Sequence, residues 1–227
     1  MIMKKAPYRI LYEDDSLLVV YKERDVFSVM TEDVKTKHHN LYFYLQCYAR
    51  RKQEKVFLVH RLDFETSGVM VFAKEKETCH LLRETFENRE VERRYEAVVK
   101  ESLPSDFHQT VTQYLREEKN TYQVCEDRKN GKEAVTEISY ANPIQIGTAL
   151  DIRIETGRKN QIRMALHYLG LTLIGDRRYS KDEAKRMYLN AYSLTFPEKL
   201  NLKERVFSVS PLWIIAPSCK EDKKPIE

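Results

Sequence analysis

The chain lacks most of the features that would place it in a special class. No stretch reaches the roughly 18 consecutive apolar residues of a membrane span, and the opening MIMKKAPYRILYEDD lacks the roughly seven-residue apolar centre of a secretory signal. A soluble, cytoplasmic protein is therefore expected. Cysteine is sparse: Cys47, Cys79, Cys125 and Cys219 form no Cys-x-x-Cys pair, and no histidine stands at zinc-ligand spacing from one of them. Reduced thiols fit a cytoplasm. Glycine and proline number only 6 and 7 among 227 residues and never cluster into a linker. One domain is expected over residues 1–217, followed by a charged, frayed tail at 218–227. Neither charge sign dominates, since 39 Lys and Arg face 35 Asp and Glu for a net charge of +4. That balance permits an anionic partner without requiring one, and any basic patch must come from clustering.

What the chain does have is enough apolar material for a sizeable core, at 42% hydrophobic residues and 11% aromatic, which excludes a disordered chain. Ile10–Tyr12 and Leu17–Tyr21 flank the acidic turn Glu13-Asp14-Asp15-Ser16 and read as short strands. Asn40 reads as the cap of a helix carrying Leu41, Tyr44, Leu45 and Tyr48 at helical spacing, with Arg50, Arg51 and Lys52 at its cation-favouring end. A second helix is expected from about Glu77 to Asn88, with Cys79, Leu82 and Phe86 inward, and Arg93–Val99 reads as a strand. Between Leu103 and Gly131 the pattern is weak, and Thr110–Leu115 with Thr121–Cys125 suggest a hairpin arm. Further on, Ala149–Ile154 alternates, and Ile162, Ala165, Leu166 and Leu169 form a helical stripe ending at Gly170, with Asn160 as its cap. Strands mixed with helices, without regular alternation, point to an α+β sheet protein.

Residues Val59–Lys74, VHRLDFETSGVMVFAK, concentrate the chemistry. Val56–Val59 and Val69–Phe72 are short, β-branched and aromatic, so the polar insert between them reads as a loop joining two strands. Loops on a rigid scaffold are where catalytic and binding groups gather. Asp63 in that loop can be a nucleophile, a general base, a metal ligand or the cap of a turn. Glu65 offers a second carboxylate, but two neighbouring loop positions need not face one cleft as a retaining glycosidase requires. His60, beside a strand end, reads better as a hydrogen-bonded structural residue than as a base. His38-His39 has no partners at ligand spacing and reads as a solvated turn. Arg163 stands beside the apolar stripe of its helix, either as an exposed cation or as the partner of a carboxylate. Tyr95 taken alone reads as strand packing.

Three pieces, His60-Arg61-Leu62-Asp63-x-x-Thr66-Ser67-Gly68, Thr156-Gly157-Arg158-x-x-Gln161-Ile162-Arg163 and Gly175-Asp176-x-x-Tyr179, resemble the RluA family of pseudouridine synthases in content, order and spacing. ILYEDDSLLVVYK, RRYEAVV and GKEAVTEISY extend the resemblance from about Ile10 to Phe196. It implies an α+β fold with a mixed, largely antiparallel sheet, flanking helices and a central catalytic cleft. It implies one catalytic domain, with no S4-like RNA-binding domain before Ile10, that isomerises uridines in tRNA or rRNA. No cofactor, metal, membrane or obligatory protein partner is implied, and a monomer is expected. By the same resemblance Asp63 is the catalytic carboxylate, Arg163 its basic partner, and Tyr95 stacks on the target base. Arg61 would hold or replace the extruded nucleotide, and Thr66, Arg158 and Gln161 would contact the substrate.

The chain departs from the family pattern in three places. Lys159 and Asn160 stand where Thr or Ser and then His are usual, Lys22-Glu23-Arg24-Asp25 stands for Lys-Pro-x-Gly, and Asn190 stands where His is common. None removes Asp63, Tyr95 or Arg163. Two other classes compete with an isomerase: a non-catalytic RNA-binding or folding factor using the same cleft, and a carboxylate-dependent hydrolase. Loss of Asp63 would silence an isomerase and leave a binding factor intact, and a hydrolase would release base or cleave sugar bonds.

Overall fold

The computed structural model describes residues 6–118, 121–125, 128–210 and 212–213; the expected tail at 218–227 and Cys219 lie outside the described residues. The first two strands, β1 (Tyr8–Glu13) and β2 (Leu17–Lys22), meet at a turn closed by Asp14, whose Oδ1 accepts the amides of Ser16 at 2.8 Å and Leu17 at 2.7 Å. The carboxylate satisfies the two amides the turn would otherwise strand. Helix α1 (Leu41–Arg51) starts where Asn40 accepts the Phe43 amide at 2.9 Å, and Arg50 and Arg51 end it as expected. The following strand β3 is only Phe57–Leu58, half the length the apolar run suggests.

Next come β4 (Ser67–Ala73), α2 (Lys76–Glu87), β5 (Glu92–Val99), β6 (Gln109–Glu118), β7 (Thr121–Cys125), β8 (Lys132–Ile144) and β9 (Gly147–Ile154). Helix α3 (Gln161–Tyr168), β10 (Leu189–Thr195) and β11 (Val206–Ser208) complete the described part. The strands form one sheet in the order β1-β2-β4-β10-β5-β9-β8-β6-β7, with β3 and β11 added on β4 and β10. Among the described residues only strands β4 and β10 run parallel; every other strand pair is antiparallel. This is the mixed, largely antiparallel α+β architecture expected. The hairpin arm is β6 with β7, and β8 extends it along β6 for Gln109–Leu115.

Every residue of β2 and β4 is buried, because both faces of the middle of the sheet are covered. On one face Leu41, Leu45 and Ala49 of α1 and Ile162 and Leu166 of α3 pack on Leu18, Val20, Met70, Phe72, Ala97, Leu150 and Ile152. On the other, Cys79 and Leu82 of α2 pack on Val19, Val69, Val71 and Phe196. Each Val, Leu, Ile, Met or Phe among them contributes about 1.5–3 kcal/mol when fully removed from water. α3 ends as its sequence predicts: Gly170, at φ +73°, donates to the His167 carbonyl, and Leu171 donates to that of Leu166. At its other end the structure differs. Asn160 occupies the cap position in a left-handed conformation with φ 57°, and its side chain makes no capping bond.

Candidate active site

Residues 59–66 cross from β3 to β4 as the expected loop, and three buried groups hold it. Ser28 Oγ donates to the Leu62 carbonyl at 2.7 Å and accepts the Leu62 amide at 3.1 Å. Lys22, with none of its surface exposed, donates Nζ to the carbonyls of Val26 at 2.8 Å, Glu23 at 3.1 Å and Phe64 at 3.2 Å. Burial pulls its ammonium down to about 7, while the negative charge of Asp63 pulls it upward. Gly68, at φ +137°, closes the loop: a Cβ there would lie 2.2 Å from the Ala191 carbonyl oxygen, so only glycine lets β4 meet β10.

Asp63 is thereby presented, partly exposed, to a cleft of about 550 Å³. His60, Arg61, Thr66, Tyr95, Arg158 and Gln161 line the same cleft, so the chain brings nearly all the expected site residues together. Asp63 Oδ2 accepts the amide of Asn160 at 3.3 Å, a bond made possible by the left-handed backbone that costs Asn160 its capping role. Tyr95 is 9% exposed, and burial pushes its phenol up to about 12, with Asp63 adding to the rise. The neutral phenol is therefore the form present near neutral pH.

Arg163 differs from the expectation that it is the direct ion-pair partner of Asp63. It is buried and grips Asp176 in a two-point bridge, Nε to Oδ2 at 3.0 Å and Nη2 to Oδ1 at 2.6 Å. Its Nη1 reaches Glu65 at 3.1 Å and the Asn160 side-chain oxygen at 3.2 Å. The charge of Asp63 is felt only as the last of several causes raising the Arg163 pKa, after burial, which opposes it, and the Asp176 and Glu65 carboxylates. The reason is the course of the chain: it turns after Gly175 and brings Asp176 against Arg163, with no exposed surface and with the amides of Arg178 and Tyr179 on its Oδ1. A cation that already faces two carboxylates is held beside Asp63 and not bound to it. The Arg163 guanidinium also lies 5.2 Å from the centre of the Tyr179 ring, whose hydroxyl accepts from Asn160 Nδ2 at 3.1 Å.

Other expected residues divide by their partners. Gln161 is buried with its amide fully engaged: Oε1 accepts from Thr156 Oγ1 and the Arg158 amide, and Nε2 donates to the Val135 carbonyl and Thr136 Oγ1. It locks β8 to the start of α3. Arg61 is exposed at the cleft, and among the described residues no carboxylate pairs with it, Glu65 being turned to Arg163. His60 stacks on Phe86 at 4.6 Å and accepts the Val71 amide on Nε2 at 3.1 Å, an acceptor role that places the proton on Nδ1. Burial first and Arg93 second lower it to about 3, so it is the neutral structural residue expected. His38 and His39 lie exposed in a turn. Among the described residues no group of His, Cys, Asp or Glu is arranged to hold a metal, and no helix is long and apolar enough to cross a membrane.

Sequence reasoning assigned no role to Lys22, Ser28, Asp176 or Arg93. Two of them carried a usable signal: Arg93 stands two residues before Tyr95 on a strand and so shares its face, and Asp176 belongs to the Gly175-Asp176-x-x-Tyr179 piece. Comparison with known proteins places this arrangement. A family model described as RNA pseudouridylate synthase matches residues 16–168. The dual-specificity RNA pseudouridine synthase RluA of Haemophilus influenzae is 30% identical over 206 residues, covering 88% of this chain and 91% of that one. Ribosomal large subunit pseudouridine synthase D of Borreliella burgdorferi is 27% identical over 214 residues, covering 90% and 66%, and that of Vibrio cholerae is 33% identical over 175, covering 76% and 53%. The chain thus spans from about half to nine-tenths of the length of these relatives. The solved structure of human RNA pseudouridylate synthase domain containing 4 shares the fold, with a TM-score of 0.69 at 24% identity over 88% of this chain and 87% of that one.

Proposed function

We propose, from the premise that this chain belongs to the RNA pseudouridylate synthase family, that it isomerises particular uridines of structured RNA, in tRNA or rRNA, with Asp63 as the reacting carboxylate. The observation that carries the reading is the state of Asp63. It is a partly exposed carboxylate with no cation bridged to it among the described residues, on a loop fixed by Lys22 and Ser28, opposite the buried Tyr95 in one cleft. Such a group is free to act on the ribose side of the target nucleotide as nucleophile or base. The bond from the sugar to the base nitrogen breaks and one to a ring carbon forms; the carbon's proton leaves and the nitrogen gains one. No atom is lost, so the RNA mass is unchanged.

A uridine inside a stem must leave its stack to reach this cleft, at a cost of a few kcal/mol. Tyr95 offers a ring for the extruded base, and Arg61, exposed and without a carboxylate partner among the described residues, offers a flat cation for the gap or for neighbouring phosphates. Arg163 acts from beside Asp63 as a positioning residue: by holding Glu65 and Asn160 it fixes both ends of the loop-to-helix contact. Thr66 and Arg158 line the same cleft as substrate contacts, with Gln161 supporting the Arg158 backbone. The protein is proposed to act in the cytoplasm as a monomer.

The deciding experiment maps pseudouridine across tRNA and rRNA in cells lacking the gene and in cells complemented with wild type or Asp63→Asn. The expected result is a site that disappears on deletion and returns only with wild type, while purified Asp63→Asn binds RNA nearly as well, because phosphate contacts supply most of the affinity. Return of the site with Asp63→Asn rejects the catalytic role, and an RNA phenotype rescued equally by both proteins favours a non-catalytic binding factor.

A further inference from the structure

Arg93 is a buried guanidinium without an ion pair among the described residues. It is 7% exposed, its Nη2 donates to the Glu155 carbonyl at 2.6 Å, and its Nε is buried with no hydrogen-bond partner. Among the described residues no carboxylate lies within ion-pairing distance of it. Burial pulls its pKa down, and the like charges of Arg158 and Arg89 pull the same way, while only the weakly acidic Tyr95 opposes them. Arg158, which lines the same end of the cleft, gives its Nε to the Glu133 carbonyl at 2.9 Å and likewise has no carboxylate partner among the described residues. A charged group taken from water without a counter-ion is costly, and the like charge of the partly exposed Arg158 adds to that cost at Arg93. A guanidinium in this state can gain a counter-ion from a phosphate, which it binds through charge-assisted hydrogen bonds.

We propose that Arg93 and Arg158 form a subsite for an RNA phosphodiester, one that seats the phosphate next to the nucleotide held against Tyr95. The proposal rests on the synthase reading of the cleft and adds to it a residue, a ligand group and an approach. Arg93 and Tyr95 are two apart on β5 and project from one face, so a base on the tyrosine brings its own backbone past the guanidinium. The approach is across Gly157. A Cβ at that position would lie 2.9 Å from Arg93 Nη1, so the absent side chain leaves that nitrogen accessible from the cleft.

The test measures affinity for a synthetic RNA stem-loop with uridines in its loop over a range of salt, using wild type, Arg93→Met, Arg93→Lys and Gly157→Ala, each checked by thermal unfolding. Arg93→Met should bind on the order of tenfold more weakly. The slope of log affinity against log salt should shrink by about 0.7–0.9, the value of one phosphate contact. Arg93→Lys should keep the slope. One uncharged methylphosphonate, moved around the loop, should weaken wild type at one position and leave Arg93→Met unaffected there. Wild-type affinity and slope in a folded Arg93→Met would overturn the subsite. If that variant does not fold, Gly157→Ala decides alone: reduced affinity with a reduced slope upholds it, and wild-type binding overturns it. Uridine conversion in the same samples is a separate readout. An Arg93-dependent slope without conversion removes the isomerase and keeps the subsite, whereas conversion with a slope indifferent to Arg93 does the reverse.

Discussion

The bridge between Arg163 and Asp176 lends itself to a double-mutant cycle. Both groups are buried, Arg163 at 5% and Asp176 at 0% exposure, and two charge-assisted bonds of 3.0 and 2.6 Å join them. Removing one partner of a buried pair leaves the other uncompensated, at about 3–5 kcal/mol. That is a large part of a total stability of about 5–15 kcal/mol. Asp176→Asn should fall at the lower end, because Arg163 keeps Glu65 and Asn160, and an asparagine oxygen can still accept the amides of Arg178 and Tyr179. Arg163→Met should fall at the upper end, since among the described residues Asp176 then keeps those two amides and no cation. The double variant removes both charges and should be no worse than the poorer single, giving a coupling of about 3 kcal/mol. Urea unfolding reads this directly: with a slope of about 2 kcal/mol per molar, each single variant moves its midpoint down by about 1.5–2.5 M. Glu65→Gln, at a partner that is 31% exposed, should cost less than about 1 kcal/mol. Additive effects of the two buried changes, or single losses below about 1 kcal/mol, would refute the assignment of Asp176 as the anchor of Arg163.

Three further outcomes are expected. Tyr95→Phe should keep most of the ring contact with an extruded base, whereas Tyr95→Leu should lose about 1–3 kcal/mol of RNA binding or turnover; equal effects in both would reduce Tyr95 to strand packing. His60 has a folded pKa of about 3 against 6.5 unfolded, so the unfolded chain binds the extra proton between those values. Stability is then fully present above pH 6.5 and lost as the pH falls towards 3, by at most about 1.4 kcal/mol per unit, and His60→Phe should flatten that acid limb; an unchanged limb in a denaturation series would exclude His60 as its source. Arg61→Ala should slow single-turnover conversion of a folded stem-loop more than that of a flexible strand, because only the former must be unstacked; equal slowing would assign Arg61 to loop structure.

The sequence by itself determined much of the local structure, because the signals involved act over a few residues. Asn40 caps its helix through its own side chain, Gly170 ends α3 through a left-handed turn, and β2 and β4 announce themselves as continuous apolar runs. Six of the residues it singled out, Asp63, Arg61, Tyr95, Thr66, Arg158 and Gln161, line one cleft. What only the tertiary structure decided is how those residues pair. Arg163 and Asp176 are thirteen positions apart, and Glu65 belongs to another element altogether, so nothing local states that Arg163 faces them before Asp63. Asn160 reads as a cap from its type, yet the bonds to Arg163 and Tyr179 and the turn of its amide towards Asp63 override that preference. Lys22 lies at the end of an apolar strand, and its role beneath the Phe64 carbonyl depends on a contact 42 residues away. Spacing along a chain fixes faces and turns, whereas the partner of a charge is fixed by which elements the sheet order brings together, and a carboxylate from any of them can claim it.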